Sequence, residues 1–208
     1  MRILLTGAAG FIGFHLASEL LKQKHKVIGV DNLNSYYSTK YKEHRIKILK
    51  KNKNFKFKKI DLKNKKKLSL LFKVNKPECV LHLASQPGIM YSFKNPSTYM
   101  SNNVLATKNL ILVSISYKVK KFYFTSSSSV YGNKKKFPIK ENSKLKPINL
   151  YAKTKKQCEI MLIKSFKNTN IDIKIFRPFT VYGTYARPDM IFLTYLKKSL
   201  ENKSFYLF

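Results

Sequence analysis

Acid is scarce in this 208-residue chain: ten Asp and Glu stand against 42 Lys and Arg, a formal net charge of +32. Tryptophan is absent and cysteine occurs twice. Cys79 and Cys158 lie far apart without metal-ligand spacing, which excludes a disulfide framework and a cysteine metal centre. Both sit among apolar residues and read as small buried hydrophobes in a reducing, cytoplasmic setting. No apolar run approaches the roughly 20 residues of a membrane span. The apolar start Ile3-Leu4-Leu5 is broken by Gly7, Gly10 and Gly13, so it lacks the continuous core of a secretory leader. Neither a membrane partner nor a metal is expected. Arginine is rare too, at Arg2, Arg45, Arg177 and Arg187 alone. A nucleic-acid site would cluster its cations and favour the arginine fork. Scattered lysines instead read as compositional bias, leaving weak polyanion attraction and no specific nucleic-acid partner.

What is present is a globular composition, 44% hydrophobic and 13% aromatic. Short apolar runs alternate with segments of helical period. Strands are predicted near 2–6, 26–31, 55–60, 79–83, 121–126 and 172–177. Helices are predicted near 11–23, 38–51, 65–73, 98–117, 149–167 and 189–201. Nearly all-apolar strands such as Val80-Leu81-His82-Leu83 are expected where helices cover both sheet faces. The fold class is therefore α/β, a doubly wound parallel Rossmann sheet. The Lys-rich stretches 63–67 and 133–146 read as solvated loops or helix surfaces.

The first strand runs into Gly7-Ala8-Ala9-Gly10-Phe11-Ile12-Gly13. Glycines at this spacing permit a tight turn, close approach of backbone to a pyrophosphate, and close helix–strand packing. The helix opening at Phe11 and Ile12 offers its first N–H groups to phosphate. Asp31 ends the second strand, followed by Asn32; a carboxylate there accepts from a ribose 2′-OH and repels a 2′-phosphate, favouring NAD over NADP. Asp61, with Leu62, is placed for the adenine edge. Both aspartates also suit turn caps, although a chain with ten acids has few to spare. Leu83 and Ala84 at the fourth strand's end let a dinucleotide lie across the sheet edge. His82 reads as a core histidine.

The fifth strand ends in Thr125-Ser126-Ser127-Ser128-Ser129, and a later helix opens with Tyr151-Ala152-Lys153-Thr154-Lys155. Tyr151 and Lys155, at i and i+4, share one helical face. A phenol of pKa near 10 is a poor base at neutral pH, and lowering it by about three units takes roughly 4 kcal/mol. Lys155 and a cationic nicotinamide supply such stabilisation in a desolvated site, while Ser127 bonds the same substrate hydroxyl.

The segments TGAAGFIGFH (6–15), DNLNSYY (31–37), SSSSVYG (126–132), YAKTKK (151–156) and FTVYGTYARPDM (179–190) resemble the extended short-chain dehydrogenase/reductase family, and within it UDP-glucuronate 4-epimerases, from Met1 to about residue 203. The resemblance implies Tyr151 as acid/base, Lys155 as its tuner and holder of the nicotinamide ribose, and Ser127 as assistant. It implies that Asn103 faces the sugar and that the helices near 98–117 and 149–167 pair in a homodimer. Related dehydratases and decarboxylases carry acids in the strand-five loop, where this chain has Ser128 and Ser129. Ser128 and Thr180 are candidates to bond a sugar C6 carboxylate, and Arg187 to bind a carboxylate or phosphate. The alternative for Thr180 and Arg187 is turn structure and exposed charge. Two departures stand out. Met90 replaces a basic residue in the segment Gln86–Ser92, and family members continue well past Phe205-Tyr206-Leu207-Phe208. The expected organisation is an NAD-binding Rossmann domain over 1–178 and, over 179–208, the start of an incomplete substrate-binding lobe. The expected activity is NAD-dependent 4-epimerisation of a UDP-sugar, UDP-glucuronate to UDP-galacturonate, through a 4-keto intermediate, poorly supported by so short a chain. The alternatives are another UDP-hexose 4-epimerase, a non-catalytic NAD-binding remnant, and a basic nucleic-acid-binding protein.

Overall fold

The computed structural model describes residues 1–204; the chain end 205–208, with the close of the expected lobe, lies outside them. Six parallel strands form one sheet: β1 (Arg2–Thr6), β2 (Lys26–Asp31), β3 (Phe55–Lys59), β4 (Cys79–His82), β5 (Lys121–Thr125) and β6 (Asp172–Phe176). Their order is β3-β2-β1-β4-β5-β6. The order reverses between β1 and β4, the place where open α/β sheets hold ligands at the strands' C-terminal ends.

Helices cross between strands: α1 (Phe11–Lys22), α2 (Thr39–Leu49), α3 (Lys65–Asn75), α6 (Ala106–Ser116) and α7 (Leu150–Phe166), with α8 (Ile191–Leu200) after β6. Between β4 and α6 lie two short helices, α4 (Ile89–Lys94) and α5 (Pro96–Tyr99). Leu4 and Val80 face α3, α6 and α7 through Leu68, Phe72, Leu110 and Leu162. Ile3, Leu5 and Leu81 face α1 and α2 through Phe14, Ala17, Leu21 and Ile46. The period-2 alternation of strand side chains thus makes two cores from one sheet.

Strands β1, β2 and β4 follow the all-apolar expectation, while the inner strand β5 (KFYFT) buries only alternate residues. The edge strands β3 (FKFKK) and β6 (DIKIF) alternate and leave their lysines toward solvent. One-sided burial at a sheet edge accounts for the pattern, and edge lysines discourage strand addition. The helix expected over 98–117 is also interrupted. Residues Met100–Leu105 wind as a π-helix between α5 and α6. Local caps fix other starts: Asn64 accepts from Lys67 N at 3.0 Å and Asn149 from Ala152 N at 2.9 Å.

Part of the segment beyond residue 178 packs on the sheet's helices. Arg45 donates to Tyr185 O at 2.8 Å, His15 Nε2 lies 2.7 Å from Thr184 O, and the Phe14 and Tyr185 ring centroids are 4.8 Å apart. Residues 184–187 therefore lie on α1 and α2. By contrast, α8 has no buried residue. No helix among the described residues is long and apolar enough to cross a membrane, and no group of three or more His, Cys, Asp or Glu there can hold a metal.

Candidate active site

At the switch point a single crevice runs from Asp31 and Asp61 to Tyr151 and Lys155. Its floor is the turn after β1. Gly7 N donates to Val30 O at 2.8 Å, with Gly7 at φ +72°. A Cβ at Gly7 would lie 2.8 Å from Ala84 N, and one at Gly13 only 2.1 Å from Gly7 O. Only glycine allows this close packing. Gly10 caps α1 without a side-chain hydrogen bond, leaving the first helical N–H groups to an anion. Gly10, Phe11, Ile12, Leu62, Leu83 and Ala84 all line the crevice, as expected. A cradle that any Cβ would fill, beside an uncapped helix start, fits a dinucleotide pyrophosphate.

Asp31, on the crevice wall, also has a structural part. Its Oδ2 accepts from Ala9 N at 3.2 Å and its Oδ1 from Leu33 N at 2.9 Å, so it also ties the glycine turn to β2. Burial pushes its carboxyl pKa up, opposed by the Leu33 N–H and the Lys42 charge. Asn32 and Asp61 stand beside it, with Asn32 Nδ2 3.4 Å from Asp61 Oδ2.

At the other end, Ser127 Oγ accepts from Ser129 N and Ser129 Oγ at 3.2 and 2.9 Å. Burial pushes the Tyr151 phenol up; the Ser127 hydrogen bond and the Arg187 charge pull it back. Lys155 is buried, 2% exposed, and its ammonium donates to Thr125 O at 2.8 Å, 6.0 Å from the Tyr151 ring centroid. Burial pushes its pKa down to about 8. In this arrangement burial favours the neutral phenol of Tyr151.

Three expected substrate residues lie elsewhere. Asn103 does not face the crevice: it is buried in the π-helix, its Oδ1 accepting from Gln86 N at 2.7 Å and its Nδ2 3.1 Å from Thr154 Oγ1. Its neighbour Asn102, also in the π-helix, lines the crevice instead. Ser128 and Thr180 also fall outside the lining, which takes Phe179 and Val181 from the same stretch. Arg187 does line it, held by Asp189 through Nε and Nη2 at 3.0 and 3.2 Å. Tyr36 donates to the same carboxylate at 3.1 Å, and burial together with Asp189 pushes its phenol up to about 12. Met90, in place of a basic residue, is 74% exposed.

Other supports carry weaker sequence signals. Arg45, 1% exposed, donates to Ala9 O, Tyr37 Oη, Tyr185 O and Ala186 O, stitching the glycine turn to the Arg187 segment. Behind the serine loop, Glu159 accepts from Ser126 Oγ and forms a two-point pair with Arg177 at 3.0 and 2.8 Å. In the sequence only the rarity of arginine and acid sets these residues apart, and it gives them no role. His82 is the core histidine expected, bracketed by Thr6 and Thr107 at 2.7 and 2.9 Å, with burial pushing its pKa down to about 3.

Residues 3–208 match the NAD dependent epimerase/dehydratase family. The chain belongs to that family. Among its curated relatives, "Protein CapI" of Staphylococcus aureus is 42% identical over 98% of this chain and 61% of its own length. The UDP-glucuronate 4-epimerase of Thermodesulfobacterium geofontis is 38% identical over 99% of this chain and 64% of its own. The chain thus spans less than two thirds of these family members. The crystal structure of UDP-glucuronic acid 4-epimerase from Bacillus cereus, in complex with UDP-glucuronic acid and NAD, superposes with a TM-score of 0.92 at 38% identity. That match covers 98% of this chain and 64% of the other.

Proposed function

We propose that this chain forms the NAD-binding part and catalytic wall of a UDP-sugar 4-epimerase, acting on UDP-glucuronate to give UDP-galacturonate. The supporting observation is that the glycine cradle and the Ser127, Tyr151 and Lys155 side chains line one continuous crevice. Bound NAD supplies reversible hydride acceptance, which an epimerase needs at C4 but does not consume. Tyr151 exchanges the O4 proton, Ser127 orients O4, and Lys155 lowers the phenol's pKa once its ammonium turns from Thr125 O. The sugar would pass through a 4-keto form; after it presents its other face, C4 would take the hydride back on that face while Tyr151 returns the proton to O4. Arg187 suits the C6 carboxylate. The absence of an acid at Ser128 and Ser129 supports epimerisation over dehydration or decarboxylation.

Homodimer formation belongs to the same reading. Leu112 on α6 and Ile160 and Ile163 on α7 are exposed, and burying them against a second copy removes apolar surface from water.

The remaining lobe of the relatives would anchor uridine and diphosphate, remote binding that positions the reacting sugar. The test therefore compares the chain with a version extended by a homologous C-terminal lobe, each given NAD and UDP-glucuronate and followed by NMR. The extended form should produce UDP-galacturonate, and Tyr151→Phe should reduce its turnover about a thousandfold while leaving NAD affinity unchanged. Release of CO2, or a 4-keto-6-deoxy product, would overturn the reaction assigned.

A further inference from the structure

From Lys47 to Lys76 the chain holds thirteen lysines and one acid, Asp61, and every one of those lysines is exposed. Of the thirteen, Lys63 alone forms an ion pair among the described residues, with Asp61 at 3.5 Å. The stretch runs from the end of α2, through the edge strand β3, along α3. Compositional bias explains why lysine is common here, but not which lysines share a face.

The fold sorts them. Phe55 is buried with the residues of α1 and α2, and Phe57 packs on the same core. Alternation along β3 therefore turns Lys56 and Lys58 to the opposite face of the sheet, the one that carries α3. On α3, Leu68, Leu71 and Phe72 enter the core. Ser69 Oγ lies 3.2 Å from the hydroxyl of Tyr117, just past α6, and the Phe72 ring packs on the same tyrosine. These contacts define the flank of α3 next to α6. At 3.6 residues per turn, Lys67, Leu70 and Val74 share the other flank, toward the free sheet edge, with Lys66 one turn before Leu70. Leu70 is 61% exposed and Val74 71%. Two aliphatic side chains thus stand in water one helical turn apart, on a surface whose charge is of one sign.

We propose that this edge, Lys56 and Lys58 of β3 with Lys66, Lys67, Leu70 and Val74 of α3, docks the protein on an anionic lipid bilayer. The negative surface potential attracts the lysines, and the aliphatic pair enters the boundary between headgroups and acyl chains. Such a contact lies on the membrane and needs no spanning helix. A nucleic acid would answer the charge but leave Leu70 and Val74 in water, and lysine lacks the fork that suits phosphate and base edges. A second copy of the chain would set lysine against lysine. None of the six residues lines the crevice, so docking leaves it open.

The experiment is sedimentation of the chain with vesicles, of phosphatidylcholine alone or of equal parts phosphatidylcholine and phosphatidylglycerol, beside titration with a DNA duplex. Wild type should bind the anionic vesicles about tenfold or more tighter than the neutral ones, and added salt should release it. Changing Lys56, Lys58, Lys66 and Lys67 together to Gln should weaken that binding about a hundredfold. The same loss of charge at Lys135, Lys136, Lys140 and Lys144, exposed in the loop before α7, should weaken it by no more than about threefold. Leu70→Gln with Val74→Thr should weaken vesicle binding about tenfold and leave the DNA titration unchanged. Circular dichroism checks the folding of each variant, and Leu70→Ala with Val74→Ala serves where the polar pair does not fold. No binding to anionic vesicles, or equal losses from the two lysine sets, would overturn the proposal. Vesicle binding indifferent to the aliphatic pair, with DNA binding lost from the β3 and α3 lysines, would overturn it too and give this surface to nucleic acid.

Discussion

Around Gly7 and Gly13 the crevice wall is backbone, whereas around Tyr151 it is a set of side chains held from behind. The first end depends on atoms that are missing: with a 2.1 Å approach, no Cβ is tolerated at Gly13. The second depends on long-range polar contacts, Lys155 to Thr125 O and Glu159 to Ser126 and Arg177. Steric exclusion has no partial version, while a hydrogen-bonded support can be weakened by degrees. The two ends should therefore fail differently when disturbed.

Gly13→Ala breaks the backbone end and carries the largest expected effect. The new methyl must push Gly7 O away, so the turn opens and the N–H cradle loses its shape. NAD affinity should fall about a hundredfold or more, roughly 2.7 kcal/mol. Titration giving an affinity within a few-fold of wild type would show that the turn flexes and that the contrast is false.

Glu159→Gln disturbs the side-chain end from behind. Glutamine still accepts from Ser126, but it cannot neutralise Arg177, whose side chain is 19% exposed against 2% for Glu159. Breaking a buried pair by neutralising one partner costs about 3–5 kcal/mol; the retained bond and the partial exposure of Arg177 bring the expectation to about 2 kcal/mol. A melting temperature lower by about 4–8 °C follows for a chain of this size. An unchanged melting temperature would mean that the pair is ornamental, and the serine loop would need another support.

The same contrast separates what the sequence made legible from what it concealed. Glycine spacing after an apolar strand, and a tyrosine and lysine one helical turn apart, are local patterns, and the structure brings both to the crevice. Six strands were readable because short apolar runs separate cleanly from helical periods. The alternating edges β3 and β6 departed from the all-apolar expectation, since burial on one face depends on a strand's place in the sheet. Asn103 was misplaced because a π-helix rotates every later side chain, and nothing in Met100–Leu105 announces one. Arg45 and Glu159 work through partners as far as 141 and 33 positions away, beyond the reach of any local pattern.

Lys155→Met gives the smallest change and sharpens the contrast most, because here a functional group is a stability burden. The ammonium is buried, and burial lowers its pKa from 10.5 to about 8. Holding it charged at neutral pH therefore costs the folded state about 3 kcal/mol. The hydrogen bond to Thr125 O is lost on substitution, which offsets about 1 kcal/mol. Methionine matches the stem and carries no charge, so the variant should be about 1–2 kcal/mol more stable at pH 7. The sign with pH follows from proton counting. Between pH 8 and 10.5 the unfolded chain holds a proton on Lys155 that the folded chain has released, so wild-type stability gains from this group as pH rises. The variant lacks that gain, and its advantage should shrink across the same interval. Tyrosines and cysteines away from Lys155 are common to both proteins and cancel in the difference; Cys158, whose thiol the Lys155 charge pulls down, does not, and a Cys158→Ala background removes it from both. Paired denaturant titrations at pH 7 and pH 10 would measure it. A variant less stable than wild type at pH 7, or an advantage that stays constant with pH, would show that Lys155 is comfortably solvated and that this end of the crevice is not under the electrostatic strain its burial implies.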